Sequence, residues 1–145
     1  MSDWSSLDLS TSASIAKIES EVNNLTDGNW DDKISTAKTM IGSRLENALA
    51  ERGIGVDEDS GEVLLDVVVD PDVTFGLSSD FMTLHLIYKD LSMNSGTGNY
   101  EDKAKYYRQM YDEQMAVDIK RMKLDENLDD ETDSYRTNWI QRFQR

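Results

Sequence analysis

The sequence predicts an all-α fold: an antiparallel helical bundle of about four helices over residues 12–123, with an extended C-terminal arm over 124–145. Three observations predict it. Apolar residues recur at three- and four-residue steps in four separate stretches, the spacing of one face of a helix. Clusters of Gly, Asn and Asp divide those stretches. The single proline, Pro71, falls between two of them, where it reads as a helix boundary or a first-turn residue. Amphipathic segments joined by short loops bury their apolar stripes most simply against one another, as an antiparallel bundle.

Residues 1–11 are rich in Ser and Asp, with Trp4, Leu7 and Leu9 as isolated apolar points, and read as a flexible lead-in. The first helix is expected from about Ser12 to Leu25, where Ile15, Ile18, Val22 and Leu25 share a face before Asp27-Gly28-Asn29 breaks the pattern. The second follows Trp30, with Asp31 or Asp32 placed to cap free N–H groups, and carries Ile34, Ala37, Ile41, Leu45, Ala48 and Leu49 through Arg52. Gly53 and Gly55 end it, as where a chain must turn left-handed. An acidic loop follows over residues 56–62. Residues 63–69, VLLDVVV, have the β-branched content of a strand, but a strand without a partner is unstable. A short buried helical segment is therefore the preferred reading, with a strand as the alternative.

The third helix starts near Asp72 or Ser78 and reaches Met93, with Phe81, Leu84, Tyr88 and Leu91 on one side, widened by Leu77 and Ile87. A polar turn, residues 94–99, leads to a fourth helix from Tyr100 to about Lys123. Its seam is Ala104, Tyr107, Tyr111, Met115, Ile119 and Met122. The arm then opens with six acids, Asp125, Glu126, Asp129, Asp130, Glu131 and Asp133, and closes on a tip that carries only positive charge, Arg136, Arg142 and Arg145, around Trp139, Ile140 and Phe143.

Charge narrows the function. With 29 Asp+Glu against 15 Lys+Arg the net charge is −14, so the surface as a whole repels phosphate and anionic lipid. Sequence-specific nucleic-acid binding and membrane binding are not expected. The acidity reads as solubility, as a mimic of DNA that blocks a basic nucleic-acid-binding protein, or as a wall that DNA passes without sticking. No stretch approaches the ~18 apolar residues of a membrane span, and the N-terminus has no apolar run like a signal peptide. A soluble chain made in a cytoplasm is the expectation.

Catalytic and metal-binding constellations are not found. Cysteine is absent, which removes thiol nucleophiles, thiolate ligands and disulfides. His85 is the only histidine and lies on the Phe81–Leu84–Tyr88 side of its helix, so it reads as a half-buried structural residue. No Ser sits in a Gly-x-Ser-x-Gly turn, and Ser95-Gly96-Thr97-Gly98 lacks the Lys-Ser/Thr ending of a phosphate loop. The acidic run 125–133 lacks the alternating Asp pattern and closing Glu of a calcium loop. Pairs such as Glu19 with Glu21 and Asp31 with Asp32 read as solvated surface or helix starts. No enzyme activity, cofactor or metal is expected.

The candidate functional residues are Arg136, Trp139, Ile140, Arg142, Phe143 and Arg145. Trp and Arg dominate binding hot spots, and so short a tail cannot bury its aromatics against itself. Docking in a preformed groove would offset the entropy of ordering it. The competing reading is that the tip folds back on its own bundle.

Residues 81–128 also carry a resemblance. Leu86-Ile87-Tyr88-Lys89-Asp90-Leu91 matches an L-I-Y-x-D-L phrase that ends one helix, and Lys103-Ala104, Tyr107-Arg108 and Tyr111 match a K-A-x-x-Y-R-x-x-Y phrase in the next. With Trp30-Asp31-Asp32-Lys33-Ile34, Ala37-Lys38, Leu45 and Arg52-Gly53-Ile54, the chain resembles the head–tail connector, or adaptor, proteins of tailed bacteriophages. That resemblance implies a small helical virion protein forming a ring, commonly of about twelve subunits, beneath the portal at the capsid vertex. It implies three partners: the portal protein, further copies of the chain, and a downstream stopper, tail terminator or tail protein. It also implies a C-terminal arm reaching the portal, which the basic aromatic tip would supply, and a channel through which DNA passes. Residues 57–61 and 63–69 match no part of the family's pattern.

Overall fold

The computed structural model describes residues 4–20, 22, 30–56, 61, 63–95 and 98–124. Among them it is a helical bundle of four α-helices: α1 (Ser12–Ile18), α2 (Asp31–Glu51), α3 (Pro71–Ser95) and α4 (Gly98–Arg121), with a two-residue antiparallel ladder of β1 (Val68–Val69) and β2 (Lys123–Leu124). The all-α expectation holds. No helix among the described residues is long and apolar enough to cross a membrane.

α1 starts at a reciprocal cap. The Ser14 N–H donates to Thr11 Oγ1 and the Thr11 N–H donates to Ser14 Oγ, which satisfies two otherwise orphaned donors. The helix ends at Ile18, earlier than the expected Leu25, because Glu19 turns extended and sends its carboxylate to α4. Val22 is helical and fully buried; residues 23–29 lie outside the described residues.

α2 follows the sequence closely. Ala37, Ile41, Leu45 and Leu49 are buried on one face. Its N-cap is Trp30 rather than an Asp side chain; Asp31 and Asp32 sit in the first turn, where negative charge complements the helix dipole. The end is a Schellman arrangement. The Gly53 N–H donates to the Ala50 carbonyl and the Ile54 N–H to that of Leu49, with Gly53 at φ 67°.

Residues 63–69 correct the helical preference. Val63 bridges Val56, Leu65–Val67 forms a single 3-10 turn, and Val68–Val69 is a strand. The β-branched run found a partner more than fifty residues onward, in register Val68 with Leu124 and Val69 with Lys123. The boundary drawn at 123/124 therefore falls inside β2, and Leu124, assigned to the arm, is fully buried in the core.

α3 and α4 form the long hairpin at the centre of the molecule. Pro71 occupies the first position of α3, where its missing N–H costs nothing. Between the two helices, the Ser78 hydroxyl donates to Asp118 Oδ2 at 2.6 Å, a buried contact that sets their register. Phe75, Met82, Leu84, Tyr88 and Met115 of this hairpin are buried in one core with Ile15 of α1, Ile41 and Leu45 of α2 and Val68 of β1.

The lead-in is not free of the bundle either. Trp4 donates its backbone N–H to Asp66 Oδ1, Lys38 Nζ donates to the Leu7 carbonyl at 2.6 Å, and Leu9 is buried. Trp4 and Leu9 are anchor points along a strap that opens with a 3-10 turn, Trp4–Ser6.

Candidate assembly surface

The two phrases behind the family resemblance lie on the facing helices of the hairpin. Tyr88 of α3 stacks on Tyr107 of α4 at 5.9 Å and 10° between planes, and Phe81 adds a second stacked contact to Tyr107 at 6.2 Å. Tyr100 tilts against Tyr88 at 6.0 Å. Aromatic pairs at these separations add about 0.5–1.5 kcal/mol each beyond the area they bury. His85 closes the same seam, its Nδ1–H donating to the Ala104 carbonyl at 2.7 Å. Burial lowers its pKa, the hydrogen bond to Ala104 opposing the shift. It is a structural residue tying α3 to α4.

α1 is fastened to this seam by one acid. Glu19 accepts from the Tyr107 hydroxyl at 2.6 Å through Oε2 and pairs with Lys103 at 3.2 Å through Oε1. Its side chain is 18% exposed, so the expectation of simple solvated surface is corrected. Lys103 also lies 5.1 Å over the Tyr88 ring. Burial, reinforced by the Glu19 carboxylate, drives the Tyr107 pKa well above the ordinary phenol range. Near neutrality the phenol therefore stays protonated.

α2 is fastened through cations. Arg44 and Arg108 flank the Tyr111 ring at 5.5 and 5.7 Å, and Arg44 reaches Asp112 at 3.2 Å. Lys33 pairs with Asp90 across α2 and α3. These pairs are part-exposed and are worth about 0–1 kcal/mol apiece. They fix relative position more than they add stability.

Further buried polar groups lie where the N-terminal residues meet α3. Asp80 is 7% exposed and accepts from the Ser14 hydroxyl at 2.8 Å. Burial raises its pKa, with the Ser10 and Ser14 hydroxyls opposing. The Ser10 hydroxyl donates to the Ser79 hydroxyl at 2.7 Å. The Ser10 contact joins the strap to α3, and the Ser14 contact joins α1 to α3. A cleft of about 380 Å³ lies between strap residues 7–12 and Asp31, Ile34, Ser35 and Lys38 of α2. Among the described residues no group of three His, Asp or Glu is placed to hold a metal ion.

The outer surface carries apolar side chains that the sequence did not place there. Val73 is 80% exposed, and Leu77 and Val117 are 44% exposed. Val73 and Leu77 are one turn apart on α3. Ser78 touches Asp118 across two antiparallel helices, so Leu77 and Val117, each one residue before a partner, fall on the same side of the hairpin. Leu77 was expected to widen the core stripe; it lies outside it. Its spacing, four residues before Phe81 and seven before Leu84, puts it in phase with the core stripe, so the pattern carried no signal of its exposure. The sequence-predicted docking residues, Arg136, Trp139, Ile140, Arg142, Phe143 and Arg145, lie outside the described residues, as does the acidic run 125–133.

No family model, no curated protein and no solved structure matches this chain significantly.

Proposed function

We propose that this protein is a structural subunit of a tailed-phage virion neck: a ring-forming head–tail connector that docks under the portal, extends the DNA channel and offers a platform to the next neck or tail component. The observation that carries the reading is the hairpin of α3 and α4. Both phrases of the connector resemblance lie on it, and they meet face to face at Tyr88 and Tyr107. The surrounding architecture is that of a scaffold. Its polar contacts, Glu19 with Tyr107, Ser78 with Asp118 and Asp80 with Ser14, each join one element to another.

In mechanism the bundle is the rigid body. Exposed apolar side chains on its surface offer contact area to neighbours, and the tip, Trp139, Ile140 and Phe143 among Arg136, Arg142 and Arg145, supplies the hot spot for the portal. A net charge of −14 gives passing phosphate little to hold.

Electron microscopy of portal-bearing capsids mixed with the purified protein tests the proposal. A ring of added density below the portal supports it. Portal vertices without added density at saturating protein contradict it, and tight capture of a basic nucleic-acid-binding protein instead would favour the acidic-mimic reading.

A further inference from the structure

We infer that in the free subunit the C-terminal tip docks on its own chain, over the apolar side of the hairpin formed by Val73, Leu77 and Val117. The described chain ends at Leu124, whose backbone is paired to Val68. Val73 follows Val68 by five residues, so the patch begins within about 25 Å of that end. The fourteen residues from Asp125 to Asn138 reach about 45 Å when extended, ample to bring Trp139 and Phe143 there.

Charge favours the same path. The exposed cations Lys120, Arg121 and Lys123 stand where the acidic run begins. Asp70 and Asp72, both exposed, flank the start of α3 and offer carboxylates to a tip whose side-chain charges are all positive. A tip on so short a tether sees its own patch at millimolar effective concentration, far above that of another copy in dilute solution. The use of this contact rests on the neck reading: a parked tip is withheld from other partners until the portal displaces it. The contact itself does not depend on that reading.

The chain has no cysteine, which makes the test direct. Phe143→Cys is combined with Leu77→Cys in one full-length variant and with Met93→Cys in another. Met93 is 75% exposed and lies sixteen residues along the same helix, about 24 Å away. Both substituted α3 positions are exposed, and circular dichroism of the reduced proteins checks the fold. Mild oxidation at micromolar concentration, read by intact mass and peptide mapping, is expected to give at least about tenfold more intrachain disulfide at position 77 than at 93. Equal yields, no disulfide, or disulfides only between chains overturn the inference. Failure of the full chain to bind portal-bearing capsids would end the neck reading while leaving a selective cross-link standing, so the two failures are distinguishable.

Discussion

The Tyr107 hydroxyl donates to Glu19 Oε2 at 2.6 Å, and this contact is where α1 is locked to α4. Both side chains are largely withdrawn from water, Tyr107 at 5% exposure and the Glu19 side chain at 18%. A hydrogen bond to a charged acceptor contributes about 1.5–3 kcal/mol. Tyr107→Phe keeps both ring stacks and removes only the donor, so urea denaturation at pH 7–8 is expected to show a loss in that range. The pH dependence follows from the raised phenol pKa. An unfolded tyrosine ionises near pH 10, the folded one only above it. The stabilisation is complete below about pH 10 and drains away above it, by up to about 1.4 kcal/mol per pH unit. Tyr107→Phe is expected to flatten that alkaline fall.

Asp80 makes the opposite demand. It is buried among hydroxyls, and its pKa is raised by burial. A carboxyl that prefers its neutral form when folded supports folding most fully below about pH 4, and that support is lost as pH rises through its folded pKa. Asp80→Asn keeps the shape and an oxygen for Ser14 without the charge. It is expected to raise stability at pH 7 by about 0.5–1 kcal/mol and to weaken the dependence of stability on pH between about 4 and 7. Denaturation midpoints at pH 4.5 and 7 measure both effects.

Leu124 tests where the folded unit ends. Fully buried and paired to Val68, it belongs to the core and not to the arm. Leu124→Ala is expected to cost about 2–4 kcal/mol in chemical denaturation. A loss under about 0.5 kcal/mol would mean that the ladder of Val68–Val69 with Lys123–Leu124 is dispensable.

Local pattern made much of this legible. The stripe Ala37, Ile41, Leu45 and Leu49, the Gly53 ending of α2, the Pro71 start of α3 and the half-buried His85 all follow from spacing, and each depends on neighbours within a turn or two. The misreadings share the opposite property. Residues 63–69 were read against their β-branched content because the partner strand is remote in sequence. Trp4 and Leu9 were read as loose because isolated apolar residues have no period, although each finds a site on the bundle. Glu19 was read as solvated because a lone acid gives no hint of a tyrosine eighty-eight positions away. Leu77 was counted into the core because the stripe on α3 is wide, and only the packing of α4 shows which edge stays open. Of the candidate site, the sequence proposes the tip's residues, which lie outside the described residues; the exposure of Val73 and Val117 emerged only from the fold.

Co-sedimentation of the protein with portal-bearing capsids, comparing the full chain with one ending at Thr137, separates the role of the tip from that of the bundle. The described core lies between Leu9 and Leu124, so the shortened chain is expected to fold with an unchanged helical signal. The full chain is expected to sediment with capsids that carry portals and not with capsids that lack them, and loss of residues 138–145 is expected to abolish this. Equal sedimentation of the two chains, or binding independent of the portal, would contradict these expectations.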